Sequence, residues 1–454
     1  MRVLLFDLHD AGYHLEFGSR IVDALHDPAG GLTVDLLTTA VTERHEQLFP
    51  ADRLIEASAF DPGTDDRGTD AYRRAAVDAA FRVAGERDYD VVHFVEVDDV
   101  LEYLYQHAES GRPSPAVVGT LDGGRFFRNT RRHRVVSAAM RTGPGAALLQ
   151  RIHRATLGDP ERAQSLKDGL YAAAARAADA SAYRERFDRA LFEDALASVL
   201  SPPMLANCVD AGAFDRLIVK SVEAAEYVRG IDPRFATERL AYLPDTLELW
   251  TDLPDQSTAR ERLGIETDGT VLLQFGEFRH EKGVDVLLEA LSGYDGPPFT
   301  LVLAGKPVDV TAEDVQAAKR RTSVPIHDVL AFVPDEDVPL YYAAADGVVV
   351  PYRPAFGLRR TSGPFLKACG AGKPVLAPAF GFFDRQVRDR NLGLTFVPED
   401  PDDLRRKLAR FAADPAATYD PDSMRTFASE RTFERVAEDL REVYETTATS
   451  ALDE

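Results

Sequence analysis

The sequence predicts an α/β protein built from two doubly wound domains, and three observations carry that expectation. At 454 residues the chain exceeds what one ordinary core holds. Short, nearly continuous apolar runs alternate with helix-period stretches through both halves, the pattern of parallel strands covered on both faces. Between the halves, Pro and Asp cluster in "LPDTLELWTDLPDQSTARERLGI", a change of composition that marks a boundary.

The first half supplies strands in "MRVLLFDL", "LTVDLLT", "YDVVHFVEV", "PAVVGTLD" and "DRLIVKS", separated by helical stretches such as "YRRAAVDAAFRVAG" and "DVLEYLYQHAE". "MRVLLFDL" has no cationic leader, long apolar centre or small-residue cleavage site, so it reads as a first strand rather than an export signal. The second half pairs "TVLLQFG" with "VDVLLEALSGY", "FTLVLAG" with "DVQAAKRR" and "DGVVVPY" with "PFLKACGAG". It continues with "PVLAPA" before "FDRQVRD", and "LGLTFVP" before "DDLRRKLARFAAD". Two domains of about 200 residues fit better than three equal ones. The expected spans are 1–245 and 268–429, with a linker at 246–267 and a C-terminal helix and tail at 430–454 that packs back across both.

Charge narrows the function classes. The 75 Asp and Glu outnumber 53 basic residues, of which only eight are Lys. A carboxylate-rich, lysine-poor surface stays hydrated in concentrated salt, so the composition resembles that of halophilic archaea. A formal charge of -22 argues against a general nucleic-acid binder, which needs a net basic face. Cys208 and Cys369 stand in unrelated contexts, which supports neither a disulfide framework nor a Cys-based metal site and fits a reducing cytoplasm. No stretch reaches the roughly 20 apolar residues of a membrane span, so contact with the inner face of the cell membrane would be peripheral.

Open doubly wound sheets take ligands outside the carboxyl ends of their strands, so the residues after each second-half strand are the candidates. After "VLLQF" comes "GEFRHEKG", with Gly276, Arg279, Lys282 and Gly283 ahead of an amphipathic helix. Arg and Lys in a glycine-bracketed loop suit a diphosphate, Arg as a planar fork and Lys as a point charge; the alternative is a solvated turn. After "GVVVPY" comes "RRTSGPFLKACGAGKPVL", in which Thr361, Ser362, Gly363 and a Pro precede a short helix. Ser or Thr as cap and Pro in the first turn mark a helix start, where backbone N–H groups await an acceptor.

Taken in order, "FGEFRHEKGVDVLLEAL", "LYYAAADGVVVPY" and "LKACGAGKPVLAPAFG" followed by "LGLTFVPEDPDDL" resemble the nucleotide-sugar half of family 4 glycosyltransferases (glycosyl transferases group 1). The resemblance implies two Rossmann-like domains facing across a cleft in the GT-B arrangement. It also implies hexose transfer from a nucleotide-diphosphate sugar, retention at the anomeric carbon, and no cofactor or metal. By position, Arg279 and Lys282 match the family's diphosphate-binding pair, though Glu277 stands where many members carry the Arg. The family's two Glu, eight positions apart, fall on Arg359 and Lys367, and neither is acidic. "TSGP" resembles the Ser-Gly loop of some members, so Thr361, Ser362 and Gly363 would offer N–H groups and a hydroxyl to the donor phosphates.

The first half resembles the family more loosely, through "DAGYHLEFGSRIVDAL", "YDVVHF" and "DRLIVKS". Gly12 lets backbone approach a ligand, and His14 beside it is either a ligand contact or a surface histidine. His93 within "VVHF" reads as a half-buried core residue. Asp122 follows "PAVVGTL" where the family often has a His on the transferred sugar; it would accept sugar hydroxyls or form only a turn. Between Asp122 and Asp159 there is no acidic residue but eight arginines, including Arg125, Arg128, Arg131 and Arg132. Interleaved with Phe126, Phe127, Leu148, Leu149 and Ile152, they suit an anionic membrane surface or lipid-phosphate acceptor, a cap on the following acidic helix, or an oligomer contact. The missing Glu pair keeps a non-catalytic binding subunit open beside a transferase for a lipid-linked or polysaccharide glycan acceptor. A nucleotide-sugar epimerase of similar build is the further alternative.

Overall fold

The computed structural model describes residues 1–8, 13–39, 41–50, 52–56, 70–111, 115–122, 131–157, 165, 168–173, 176, 189–236 and 239–453. Among these, every strand lies in one of two all-parallel sheets. The first contains β1 (Arg2–Phe6), β2 (Thr33–Thr38), β3 (Leu54–Glu56), β4 (Val91–Phe94), β5 (Ala116–Leu121), β6 (Arg216–Val219) and β7 (Leu240–Tyr242), in the order 3-2-1-4-5-6-7. The second contains β8 (Thr270–Phe275), β9 (Phe299–Ala304), β10 (Ile326–Val329), β11 (Gly347–Val349), β12 (Val375–Pro378) and β13 (Gly393–Phe396), in the order 10-9-8-11-12-13.

The continuous apolar runs have a direct cause. Along β8, Val271 and Leu273 join one buried cluster and Leu272 another, on the opposite face, so neither face tolerates a polar alternation. In each sheet the chain order reverses once: between β1 and β4, where Val3 faces Val91, and between β8 and β11, where Leu272 faces Gly347. The carboxyl ends of those strand pairs are where such sheets open a ligand crevice. Three strands that no apolar run announced, β3, β7 and β10, are short, and each lies at a sheet edge.

The chain divides into two compact units, Met1–Leu243 with Ala437–Glu454, and Pro244–Val436. The segment 246–267, expected as a linker, belongs to the second unit and carries the helix Gln256–Leu263. Buried Arg260 ties that helix to Asp346 at 2.8 Å and to the Ala344 carbonyl at 3.0 Å.

The C-terminal helix Phe433–Asp453 closes on the first sheet from Ala437 onward. Tyr444 is fully buried with its hydroxyl 2.7 Å from His93 Nδ1, and His93 Nε2 is 2.7 Å from Thr120 Oγ1. Burial, with help from the Lys220 charge, lowers the His93 pKa from 6.5 to about 3. The folded protein therefore keeps His93 neutral where the unfolded chain protonates it. Its contribution to stability is complete above the unfolded pKa of 6.5 and is lost as the pH falls towards about 3. Urea titrations should show the His93 component as up to about 1.4 kcal/mol per pH unit in that window. His93→Gln should remove it, and equal slopes in the two proteins would show that His93 takes up no proton on unfolding.

Candidate functional site

The second unit builds a site at the ends of β8 and β11. After β8 the chain turns at Gly276, at φ 110°, and after β9 at Gly305, where a Cβ would stand 1.9 Å from the Gly276 carbonyl oxygen. Backbone against backbone at that distance admits only glycine. Further on, Gly283 holds φ 63° with the Pro351 carbonyl oxygen 2.0 Å from where its Cβ would be, so the β8 loop lies directly on the β11 loop. Arg353 fastens the two. Its guanidinium, buried, forks onto both Asp285 oxygens at 2.7 Å, reaches the His280 carbonyl at 2.7 Å and stands 3.3 Å from Glu399. Burial works to raise the Asp285 pKa, and the hydrogen bonds and charge of Arg353 override it, holding the carboxyl below its ordinary value.

On this frame Lys282 lies across two aromatic faces, 4.1 Å from the Tyr352 ring centre and 4.6 Å from that of Phe356, and donates to the Tyr352 hydroxyl at 2.8 Å. Ser362 donates to the same hydroxyl at 3.1 Å and caps the helix Gly363–Gly370 by accepting from the Phe365 N–H at 3.4 Å. Lys282, Tyr352 and Ser362 thus form one hydrogen-bonded chain leading to the helix start.

The expectation that the Thr361 and Ser362 hydroxyls serve a ligand changes here, because both are already engaged within the protein. Thr361 donates to Asp245 at 2.5 Å, and Ser362 is committed to the cap and to Tyr352. Pro364 has no N–H and Phe365 spends its own on Ser362, which leaves Gly363 as the first-turn donor for an acceptor outside the helix. Gly363 is exposed, and nothing lies within 4 Å of where its Cβ would be. Arg279 is less committed than Lys282: its partner is Glu277 at 2.6 Å, with the two side chains 54% and 43% exposed. So open a pair contributes little and can be exchanged for an anion.

Sequence reasoning missed Tyr352, Arg353 and Phe356. A signal for them existed: no Asp or Glu occurs between Asp346 and Asp384, while Arg353, Arg359, Arg360, Lys367 and Lys373 all do. In so acidic a chain, that gap is a local reversal of charge.

In the first unit, Asp122 follows β5 and is ion-paired at 2.5 Å with Lys220, which follows β6 and sits 5.5 Å from the Phe17 ring. The Asp122 N–H donates to Asp98 at 2.9 Å. The carboxylate is thus held by a cation and its backbone by a second carboxylate, a fixed position rather than a loose turn. Gly12, Arg125, Phe126, Phe127 and Arg128 lie outside the described residues. His14 falls in the helix Tyr13–Leu25, and Arg131 and Arg132 in Arg131–Met140, with their side chains likewise outside the description.

Residues 255–431, which hold the whole β8 and β11 site, match the family model of glycosyl transferases group 1. The matched stretch lies within the second unit, Pro244–Val436. The D-inositol 3-phosphate glycosyltransferase of Geodermatophilus obscurus is 33% identical over 215 residues, 43% of this chain and 46% of that protein. Its counterpart in Salinispora arenicola is 31% identical over 205 residues, 42% of this chain and 44% of that protein. The chain therefore spans less than half the length of these curated relatives. Structural likeness extends beyond the matched stretch. Sucrose-phosphate synthase from Thermosynechococcus elongatus superposes with a TM-score of 0.65 at 17% identity, over 99% of this chain and 100% of that one. Anabaena HepE, solved in complex with UDP-glucose, gives 0.62 at 15% identity over 98% and 100%. The fold is GT-B, two parallel α/β sheets with the match to the group 1 family in the second.

Proposed function

We propose that the chain is a glycosyltransferase that moves a hexose from a nucleotide-diphosphate sugar to a lipid-linked or polysaccharide glycan acceptor, with retention and without a metal ion or cofactor. The observation that carries this is the chain Lys282–Tyr352–Ser362 ending at the helix start at exposed Gly363, a cation and a helix start converging at the β8/β11 reversal. Supporting it are the complexes of HepE with UDP and UDP-glucose.

In this proposal the leaving diphosphate gathers charge as the glycosidic bond breaks. Lys282, preset over its two rings, Arg279 released from Glu277, and the Gly363 N–H would stabilise that charge without reorganising. Asp122 and His14 are the catalytic residues of this reading, with Asp122, ion-paired to Lys220, accepting hydrogen bonds from sugar hydroxyls. The protein would work in the cytoplasm, with peripheral contact to the membrane.

A second reading rests on a specific observation: Arg359 and Lys367 occupy the positions of the family's Glu pair, which favours a binding subunit without turnover. Purified protein in molar salt, offered a panel of nucleotide sugars, should slowly release free nucleotide. Binding without release under any acceptor condition would favour the subunit. Gly363→Val tests the site itself: its Cβ meets nothing within 4 Å, and the restriction Pro364 places on a branched residue before it should lower melting only slightly while donor binding is lost. Full binding by that variant would remove the helix start from the site.

A further inference from the structure

In the loop after β11, the buried Phe356 ring holds two cations: Lys282 Nζ lies 4.6 Å from the ring centre, and the guanidinium carbon of Arg360 also lies 4.6 Å from it. Neither has a carboxylate partner among the described residues. Arg360 is half-buried, and its hydrogen bond runs from Nη1 to the Phe356 carbonyl at 3.3 Å, which uses one of the five N–H donors of a guanidinium. Two like charges on one ring repel, and a partly desolvated cation without a counter-ion is costly. In a chain with 75 Asp and Glu, a carboxylate for Arg360 would be easy to supply. Other basic residues nearby have an account of their own. Arg353 is paired with Asp285 and Glu399, and Arg279 with Glu277, while Lys367 lies in the last turn of the helix Gly363–Gly370, where the carbonyl end favours a cation.

We propose that Arg360 is a further donor-binding residue, whose guanidinium takes an anionic group of the nucleotide sugar beside Lys282. Its place in the chain suits the role: it directly precedes Thr361 and the cap residue Ser362, and through Phe356 it shares a support with Lys282. An anion received there cancels the repulsion between the two cations, and the ring holds both side chains in position beforehand, so little freedom is lost on binding. A phosphate of the diphosphate and a carboxylate on the transferred sugar, as in a hexuronate, offer the same chemistry: oxygens that share a negative charge and match the planar fork of Arg. This role presupposes that the β8/β11 site takes a nucleotide sugar.

Calorimetric titrations compare the wild-type chain with Arg360→Gln and Arg360→Lys in about 1 M salt, where a charge that makes no contact reaches only about 3 Å. The probes are UDP, UDP-glucose and UDP-glucuronic acid, with GDP, GDP-mannose and GDP-mannuronic acid as a second set. Arg360→Gln should lose affinity about tenfold. Arg360→Lys should recover part of that loss, since it keeps the charge and gives up the fork. An equal loss across one set assigns the contact to a phosphate, and a loss confined to the acidic sugar assigns it to the sugar carboxylate. Melting should change little, because Arg360 is only half-buried. If the Gln variant does melt early, the Lys variant, whose stem still covers Phe356, should bind more weakly than wild type at unchanged melting. Wild-type affinity for every probe in both variants would overturn the proposal and leave Arg360 as packing on Phe356. Failure of the wild type itself to bind any probe would remove the nucleotide-sugar reading of the site, and the role of Arg360 with it.

Discussion

Lys282→Ala should weaken binding of whichever nucleotide sugar the release panel selects by about 10- to 150-fold, the loss of one charge-assisted contact at roughly 1.5–3 kcal/mol. Lys282 has the larger expected effect of the two cations because its position is built in advance. The ammonium rests on the Tyr352 and Phe356 rings and on the Tyr352 hydroxyl before any ligand arrives, so little side-chain freedom remains to be lost on binding. Arg279 must first leave Glu277, and Arg279→Ala should cost several-fold less. Calorimetric titration of both variants decides the matter: unchanged affinity in both would remove the diphosphate site, and a larger loss for Arg279→Ala would reverse their assigned roles. Melting should be little altered in either case, since neither side chain is in the core.

Gly283→Ala should destabilise the second unit by about 3 kcal/mol or more and abolish donor binding with it. Two penalties act on the same atom. A φ of 63° costs a residue with a Cβ about 1–2 kcal/mol, and that Cβ would stand 2.0 Å from the Pro351 carbonyl oxygen, so the backbone after β11 has to move. The move would pull apart the loops that Arg353 joins through Asp285 and the His280 carbonyl. For a unit of this size the melting transition should fall by roughly 6–12 °C. An unchanged melting temperature would mean that the two loops are not packed as described. Loss of binding at unchanged melting would mean that Gly283 serves the ligand and not the fold.

Part of this was legible beforehand. Apolar runs such as "TVLLQF" and "FTLVLA" declare buried parallel strands because both faces of each are covered, so their side chains need no polar alternation. Residues 54–56, 240–242 and 326–329 did not declare themselves. At the sheet edges β3, β7 and β10 have one neighbour each, and half-exposed positions such as Leu54, Ala241 and His327 leave the apolar signal too short to register.

At the site the division follows the range of the interactions. The residue types, their order and the cap-and-proline start of the helix Gly363–Gly370 are local properties, and the amino-acid sequence by itself determined them, together with the doubly wound class and the loops that end β8 and β11. Which polar groups remain for a ligand is decided by partners far along the chain. Asp245 takes the Thr361 hydroxyl, Tyr352 joins Ser362 to Lys282, Lys220 holds Asp122, and Tyr444 reaches back to His93. A side chain's hydrogen-bonding capacity is finite, and only the tertiary structure assigns it, because groups separated by tens or hundreds of residues become neighbours when the sheets form.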